Sequence, residues 1–184
     1  MTGSGGREAG DPGAARGADR KAARRADGGP GAAVREFRGR PLVDGSAAGP
    51  LLRLDEPLSF WGGLDPASGR IIDRRHPQHG LAVTARVLLM PGGRGSSSSS
   101  TVLAEAIRLG TGPAAILLTT PDPIIAVGAL VAVELYGRVC PVVVVGSWAG
   151  PAGVEAAVAA GGLIRLAGGP ADPSPRGNRR AAAP

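Results

Sequence analysis

Val83-Thr84-Ala85-Arg86-Val87-Leu88-Leu89-Met90-Pro91-Gly92-Gly93-Arg94-Gly95-Ser96-Ser97 runs an apolar stretch into a glycine-rich turn and then into serines. Residues 83–90 form a short, mostly apolar run, as in a buried strand, and residues 97–109 read as a helix. The pattern repeats toward the C-terminus. Residues 113–118 read as a strand, 123–135 as a helix with Pro123 suited to its first turn, and 141–145 as a third strand. That last run is almost purely valine, which is expected when both faces of a strand are covered. Residues 152–160 read as a further short helix and 163–166 as a last edge strand. Toward the N-terminus, short strands at 39–43 and 50–54 are joined by Asp44-Gly45-Ser46-Ala47-Ala48-Gly49. Residues 57–61 lead into turns marked by Asp65-Pro66 and Ser68-Gly69, and 71–73 form a brief strand before a polar loop at 74–80. The expected fold class is α/β, with a β-rich first half and strand–helix alternation in the second.

Composition confines that domain. Of 184 residues, 31 are glycine and 17 proline, with 3% aromatics, and the excess is uneven. Residues 1–36 are rich in Gly, Ala, Arg and Asp, with Val34 the one strongly apolar side chain beyond Met1. Such a segment cannot bury enough surface to offset chain ordering, so 1–36 and 167–184 are expected to be disordered tails around a domain at 37–166. The net charge of +6 suggests a polyanion partner until it is divided: 1–36 hold seven basic and five acidic groups, 167–184 three and one. The middle keeps eleven against nine, and it shows no paired-cysteine finger or basic helix, so no specific nucleic-acid partner is expected. Cys140 is the single cysteine; it opens a hydrophobic strand and reads as a buried structural thiol. No apolar N-terminal segment or membrane-length apolar run is present, so a soluble cytoplasmic protein is expected.

The glycine-rich turn carries the chemistry. Gly92, Gly93 and Gly95 permit backbone dihedrals and close approaches that a side chain blocks. Ser96 or Ser97 then falls at the helix start, where a hydroxyl either simply caps a free N–H or is polarised enough to move a proton. Arg94 adds a planar fork able to grip a carboxylate at two points, or to orient the loop. Ser98, Ser99 and Ser100 read as solvated filler. The loop lacks the lysine of a phosphate-binding Walker loop and the dinucleotide fingerprint. A serine hydrolase needs a histidine, and His76 and His79, in the polar loop, are the two available; they read as surface residues or loop clamps. Two histidines around Pro77 make no convincing metal site. Asp65 and Asp73 read as turn stabilisers, Glu134 as solvent-facing, Trp61 as core or interface packing, and Trp148 has no assigned role.

Linked motifs occur in order: Asp55-Glu56-Pro57-Leu58-Ser59-Phe60-Trp61-Gly62-Gly63-Leu64-Asp65-Pro66, Gly69-Arg70-Ile71-Ile72-Asp73, Arg75-His76-Pro77 and Pro91-Gly92-Gly93-Arg94-Gly95-Ser96-Ser97. With Asp122-Pro123-Ile124-Ile125-Ala126-Val127-Gly128-Ala129, they resemble the small subunit, or swivel domain, of the aconitase X family over residues 38–150. The resemblance implies a mobile β/β/α domain that works with a separate large subunit as a hydro-lyase on a small hydroxy acid. The substrates it implies are cis-3-hydroxy-L-proline or phosphomevalonate. It implies an iron–sulfur cluster on the large subunit, with no cofactor or metal held by this chain alone. Ser96 becomes the catalytic proton acceptor, with Arg94, Gly95 and Ser97 binding substrate or orienting the loop. Phe60, Trp61, Gly62, Gly63 and His76 become partner-docking or structural residues. A non-catalytic anion-binding or regulatory module is the alternative from another class.

Overall fold

The computed structural model describes residues 34–147 and 153–167. In chain order the strands are β1 (Arg35–Arg38), β2 (Arg40–Val43), β3 (Ala47–Arg53), β4 (Leu64–Asp65), β5 (Arg70–Ile71), β6 (Val87–Met90), β7 (Ala115–Leu118), β8 (Val142–Val144), β9 (Glu155–Ala159) and β10 (Leu163–Ala167). The helices are α1 (Phe60–Gly63), a single irregular turn, with α2 (Ser99–Leu109) and α3 (Pro123–Tyr136). Eight strands share one sheet in the order β1-β10-β9-β3-β6-β7-β8-β2, while β4 and β5 pair apart from it.

Strands β1 and β2 occupy opposite edges of that sheet although only Gly39 separates them. The chain therefore crosses from one edge to the other in a single residue, bringing the sheet close to a closed barrel. The Gly39 N–H donates to Gly162 O at 2.9 Å across this seam. Parallel pairing joins β3, β6, β7 and β8, and antiparallel pairing brings in the rest.

Alternation along the central strands sorts their side chains into two cores, as the two-residue period of a strand requires. Leu88, Met90, Ile116, Leu118 and Val142 face α2 and α3, joining Leu103, Ile107, Ile125 and Ala129. Val87, Leu89, Ala115, Leu117 and Val143 face the barrel interior with Leu51, Val158, Ile164 and Leu166. Both faces being covered explains the unbroken apolar runs. Helix α3 starts at Pro123 under an Asp122 cap and ends at the left-handed Gly137; α2 ends at the left-handed Gly110.

The expected α/β class, β-rich first and alternating later, is the architecture observed. Several local expectations are corrected. Residues 152–160 were expected to be helical, but 155–159 form β9 and Ala152 lies outside the described residues. Alanine favours helix in isolation; here pairing with β3 on one side and β10 on the other, with Ala156 and Val158 pointing inward, overrides that preference. Strand β10 is not an edge, because β1 covers it. That pairing draws Arg35, Glu36 and Ala167 into strands, outside the expected 37–166 limits; the remainder of the proposed tails, apart from Val34, lies outside the described residues, as does Trp148. Strand β6 covers only the second half of 83–90, since Ala85 turns at φ 55. Strand β3 begins at Ala47, inside the stretch expected to be a turn.

Candidate active site

Three chain segments leave the same end of the parallel strands. The segment after β3 runs through Leu58 to Trp61, that after β6 is the glycine–serine loop, and that after β7 carries Thr119 to Asp122. Ends of parallel strands are where open α/β sheets gather ligands, because neighbouring loops there converge. Backbone bonds fasten the three together. Leu58 bridges Gly93 in parallel, with Arg94 N–H donating to Leu58 O at 3.3 Å. Pro91 O accepts from the Thr120 N–H (3.2 Å) and from the hydroxyls of Thr119 (3.1 Å) and Thr120 (2.8 Å).

Within the loop, Gly95 has φ +92, and a Cβ there would stand 2.9 Å from Ser59 Oγ, so only glycine fits. Ser96 follows, exposed to solvent. Its Oγ accepts the Ser98 N–H at 3.2 Å and donates to Ser98 Oγ at 3.3 Å. Among the described residues, no acceptor pairs with the N–H groups of Gly95, Ser96 or Ser97. The site thus presents a hydroxyl beside open backbone donors at the positive end of an eleven-residue helix. Helix α2 itself begins at Ser99 rather than Ser97, because Ser96 O and Ser97 O first close tight turns to the N–H groups of Ser99 and Ser100.

The other expected residues separate. The Arg94 guanidinium reaches Asp73 (2.5 Å) and Glu56 (3.7 Å) on its own domain, an arrangement that orients the loop. Asp73 sits below the ordinary carboxylate range, first because the Arg75 N–H donates to it at 2.9 Å and then because Arg94 pairs with it. Asp65 is lowered by Ser68 Oγ and the Ala67 N–H, in the turn-stabilising role expected. His76 is 2% exposed: Nδ1 accepts the Gln78 N–H (3.1 Å) and Nε2 faces Glu56 O (3.3 Å). Both ring nitrogens are occupied in clamping the polar loop, so His76 is no base for Ser96 and no part of an outer surface.

Trp61 is 60% exposed, whereas Phe60 is fully buried and belongs to the core. Gly62 is open to solvent at φ +73, and buried Gly63 accepts the Ile72 N–H at 2.8 Å. Ser99, expected to be filler, is 3% exposed and accepts the Trp61 N–H at 3.2 Å. That buried hydroxyl fixes the tryptophan beside the serine loop. Asp122 was noted only within a motif; its position before Pro123 signals a helix start, but nothing in the sequence indicates its bond to Gly93 at 2.7 Å.

An iron–sulfur cluster does not fit these residues. Among the described residues no group of three or more His, Cys, Asp or Glu can hold a metal. Cys140 is fully buried against Pro113 O, and burial pushes its thiol up to about 12, the opposite of a ligating thiolate. No described helix is long and apolar enough to cross a membrane.

The glycine–serine loop thus places the exposed Ser96 hydroxyl where the loops of a barrel-like α/β domain converge. The aconitase X swivel domain profile matches residues 36–153, and the chain belongs to that family. It is 54% identical over 107 residues to a cis-3-hydroxy-L-proline dehydratase of Pseudomonas aeruginosa, a match covering 58% of this chain and 18% of that protein. It is 47% identical over 93 residues to a phosphomevalonate dehydratase small subunit of Methanothermobacter thermautotrophicus, covering 50% of this chain and 71% of that one. Its fold matches the crystal structure of Thermococcus kodakaraensis aconitase X in the holo-form with a TM-score of 0.65 and 28% identity, over 72% of this chain and 98% of that one.

Proposed function

We propose that this chain is the serine-bearing small part of an aconitase X type hydro-lyase that dehydrates a hydroxy acid and acts only with a large subunit. The observation that carries the reading is the exposed Ser96 hydroxyl, held by the Ser98 N–H where three strand-end loops meet. In the proposed step, Ser96 Oγ, its own proton already released to solvent, takes a proton from the carbon next to the hydroxyl-bearing one. The C–H electron pair forms the double bond, and the hydroxyl departs toward the partner. The Ser98 N–H and the α2 N-terminus favour the anionic oxygen that such a base requires. Arg94, neutralised by Asp73 and Glu56, orients the loop, while Gly95 and Ser97 offer open N–H groups to an anionic substrate. Exposed Trp61 and Gly62 form the docking edge for the large subunit. That subunit holds the iron–sulfur cluster, for which the described residues of this chain offer no ligand set, and the assembly works in the cytoplasm without nucleic acid or membrane.

The proposed substrate is cis-3-hydroxy-L-proline, supported by the 54% identity to the Pseudomonas aeruginosa dehydratase. Phosphomevalonate is the second reading, favoured by the relative of which this chain covers 71%. Co-expression with an aconitase X large subunit tests both, by assay of each hydroxy acid with wild type and Ser96→Ala. Dehydration of cis-3-hydroxy-L-proline only by the mixture, lost in Ser96→Ala with the complex intact, is expected. An active Ser96→Ala complex rejects the base assignment, and turnover of phosphomevalonate alone selects the second substrate.

A further inference from the structure

Asp122 divides its carboxylate between two elements. Oδ1 accepts the N–H groups of Ile124 (2.8 Å) and Ile125 (3.1 Å), capping α3. Oδ2 accepts the Gly93 N–H at 2.7 Å, three residues before Ser96. Packing at this junction is equally close: a Cβ on Gly93 would stand 2.7 Å from the same oxygen and 3.3 Å from Ile125 Cδ1. The carboxylate cannot rotate away from the loop without abandoning the helix cap.

The remaining attachments of the loop control it less. Thr119 and Thr120 fix Pro91 at its root, and the Arg94 N–H reaches Leu58 O only at 3.3 Å. The Arg94–Asp73 pair joins side chains that are 41% and 23% exposed, where water competes. A short, charge-assisted bond from an immobilised, partly buried carboxylate is the stiffer tie.

We infer that Asp122 is a positioning residue for Ser96, coupling the rigid N-terminus of α3 to the loop that presents the hydroxyl. The inference rests on the proposed role of Ser96 as proton acceptor. Proton transfer demands hydrogen-bond reach, and a displacement of about 1 Å in a reacting group costs on the order of 100-fold in rate.

The test uses the full chain assembled with its large subunit. Asp122→Asn keeps a capping oxygen for α3 but presents an amide to the Gly93 N–H; Asp122→Ser keeps a cap whose single short arm cannot serve both elements. Both variants are expected to lower kcat about 30- to 100-fold, with KM within about threefold of wild type. Assembly is expected to hold and the thermal midpoint to fall by only about a few degrees, for the one Gly93 donor left unpaired, while amide hydrogen exchange across residues 91–98 accelerates. Asp122→Ala, which also removes the cap, is expected to lower the midpoint further. Unchanged kcat in Asp122→Asn and Asp122→Ser, with Ser96→Ala inactive, overturns the positioning role. Full activity in Ser96→Ala removes the reading beneath it instead, so the two failures are told apart by that one variant.

Discussion

Nη2 of Arg94 lies 2.5 Å from Oδ2 of Asp73, so the guanidinium of the serine loop is matched by a carboxylate just before the polar loop of the same domain. Glu56 stands on its other side at 3.7 Å. The loop therefore meets any ligand with its arginine already engaged, and under the proposed function the open N–H groups are what remain to hold an anion. The Arg75 N–H bond to Asp73, reinforced by the Arg94 pairing, sets an acid limit. The Asp73 carboxyl is held below its ordinary 3.8, so the unfolded chain binds more protons than the folded one around that pH. The contribution is complete above 3.8 and disappears as pH falls through the lower folded value. Thermal unfolding of wild type and Asp73→Asn between neutral and strongly acidic pH checks it. Wild type should lose more stability below 3.8, and the two curves should converge there.

Within the serine run, Ser98 and Ser99 should respond oppositely to alanine. Ser99 is buried and accepts the Trp61 N–H, so Ser99→Ala strands a partly buried donor and should cost about 1–2 kcal/mol by urea unfolding. Ser98 is exposed and its side chain caps nothing, so Ser98→Ala should stay within about 0.5 kcal/mol of wild type. Equal costs at both positions would contradict the assigned division.

Trp61 presents its side chain to solvent, and its place in the fold is set by its backbone. Trp61→Ala should leave unfolding within about 0.5 kcal/mol while weakening large-subunit binding at least about tenfold, as for an aromatic anchor at an interface. Calorimetric titration of the two subunits measures this. Unaltered affinity would move the docking surface elsewhere on the domain.

Cys140 is inert by burial. Its thiol, raised to about 12, should resist iodoacetamide at pH 8 in the native chain and react fully in urea. Cys140→Ser places a hydroxyl in an apolar core and should destabilise by about 1–3 kcal/mol, read from the urea midpoint.

The strand-then-helix pattern from β6 to β8 was readable because each element satisfies its own periodicity: strands apolar throughout, helices bounded by Asp122, Pro123 and glycine caps. The glycine–serine turn was also visible, since glycines before serines at a helix entrance are a local signal, but that signal left Ser96 and Ser97 equal and only the family resemblance singled out Ser96. What the linear chain concealed was pairing between distant segments. Alanine-rich β9 became a strand only because β3 and β10 flank it, and β1 became part of the domain only because β10 had an unpaired edge to cover. Backbone hydrogen bonds between strands are non-local, and they outweigh a propensity of a few tenths of a kcal/mol per residue.

The same division runs through the site. Composition and order along the chain determined the residue types available: a serine, an arginine, flexible glycines and a lone cysteine unsuited to hold a cluster. Tertiary structure decided which of them face outward together. It buried Phe60, His76 and Ser99, exposed Trp61 and Ser96, engaged Arg94 with Asp73, and set Asp122 against Gly93. Those assignments depend on parallel strands ending side by side, which brings loops 29 residues apart in sequence within hydrogen-bond distance.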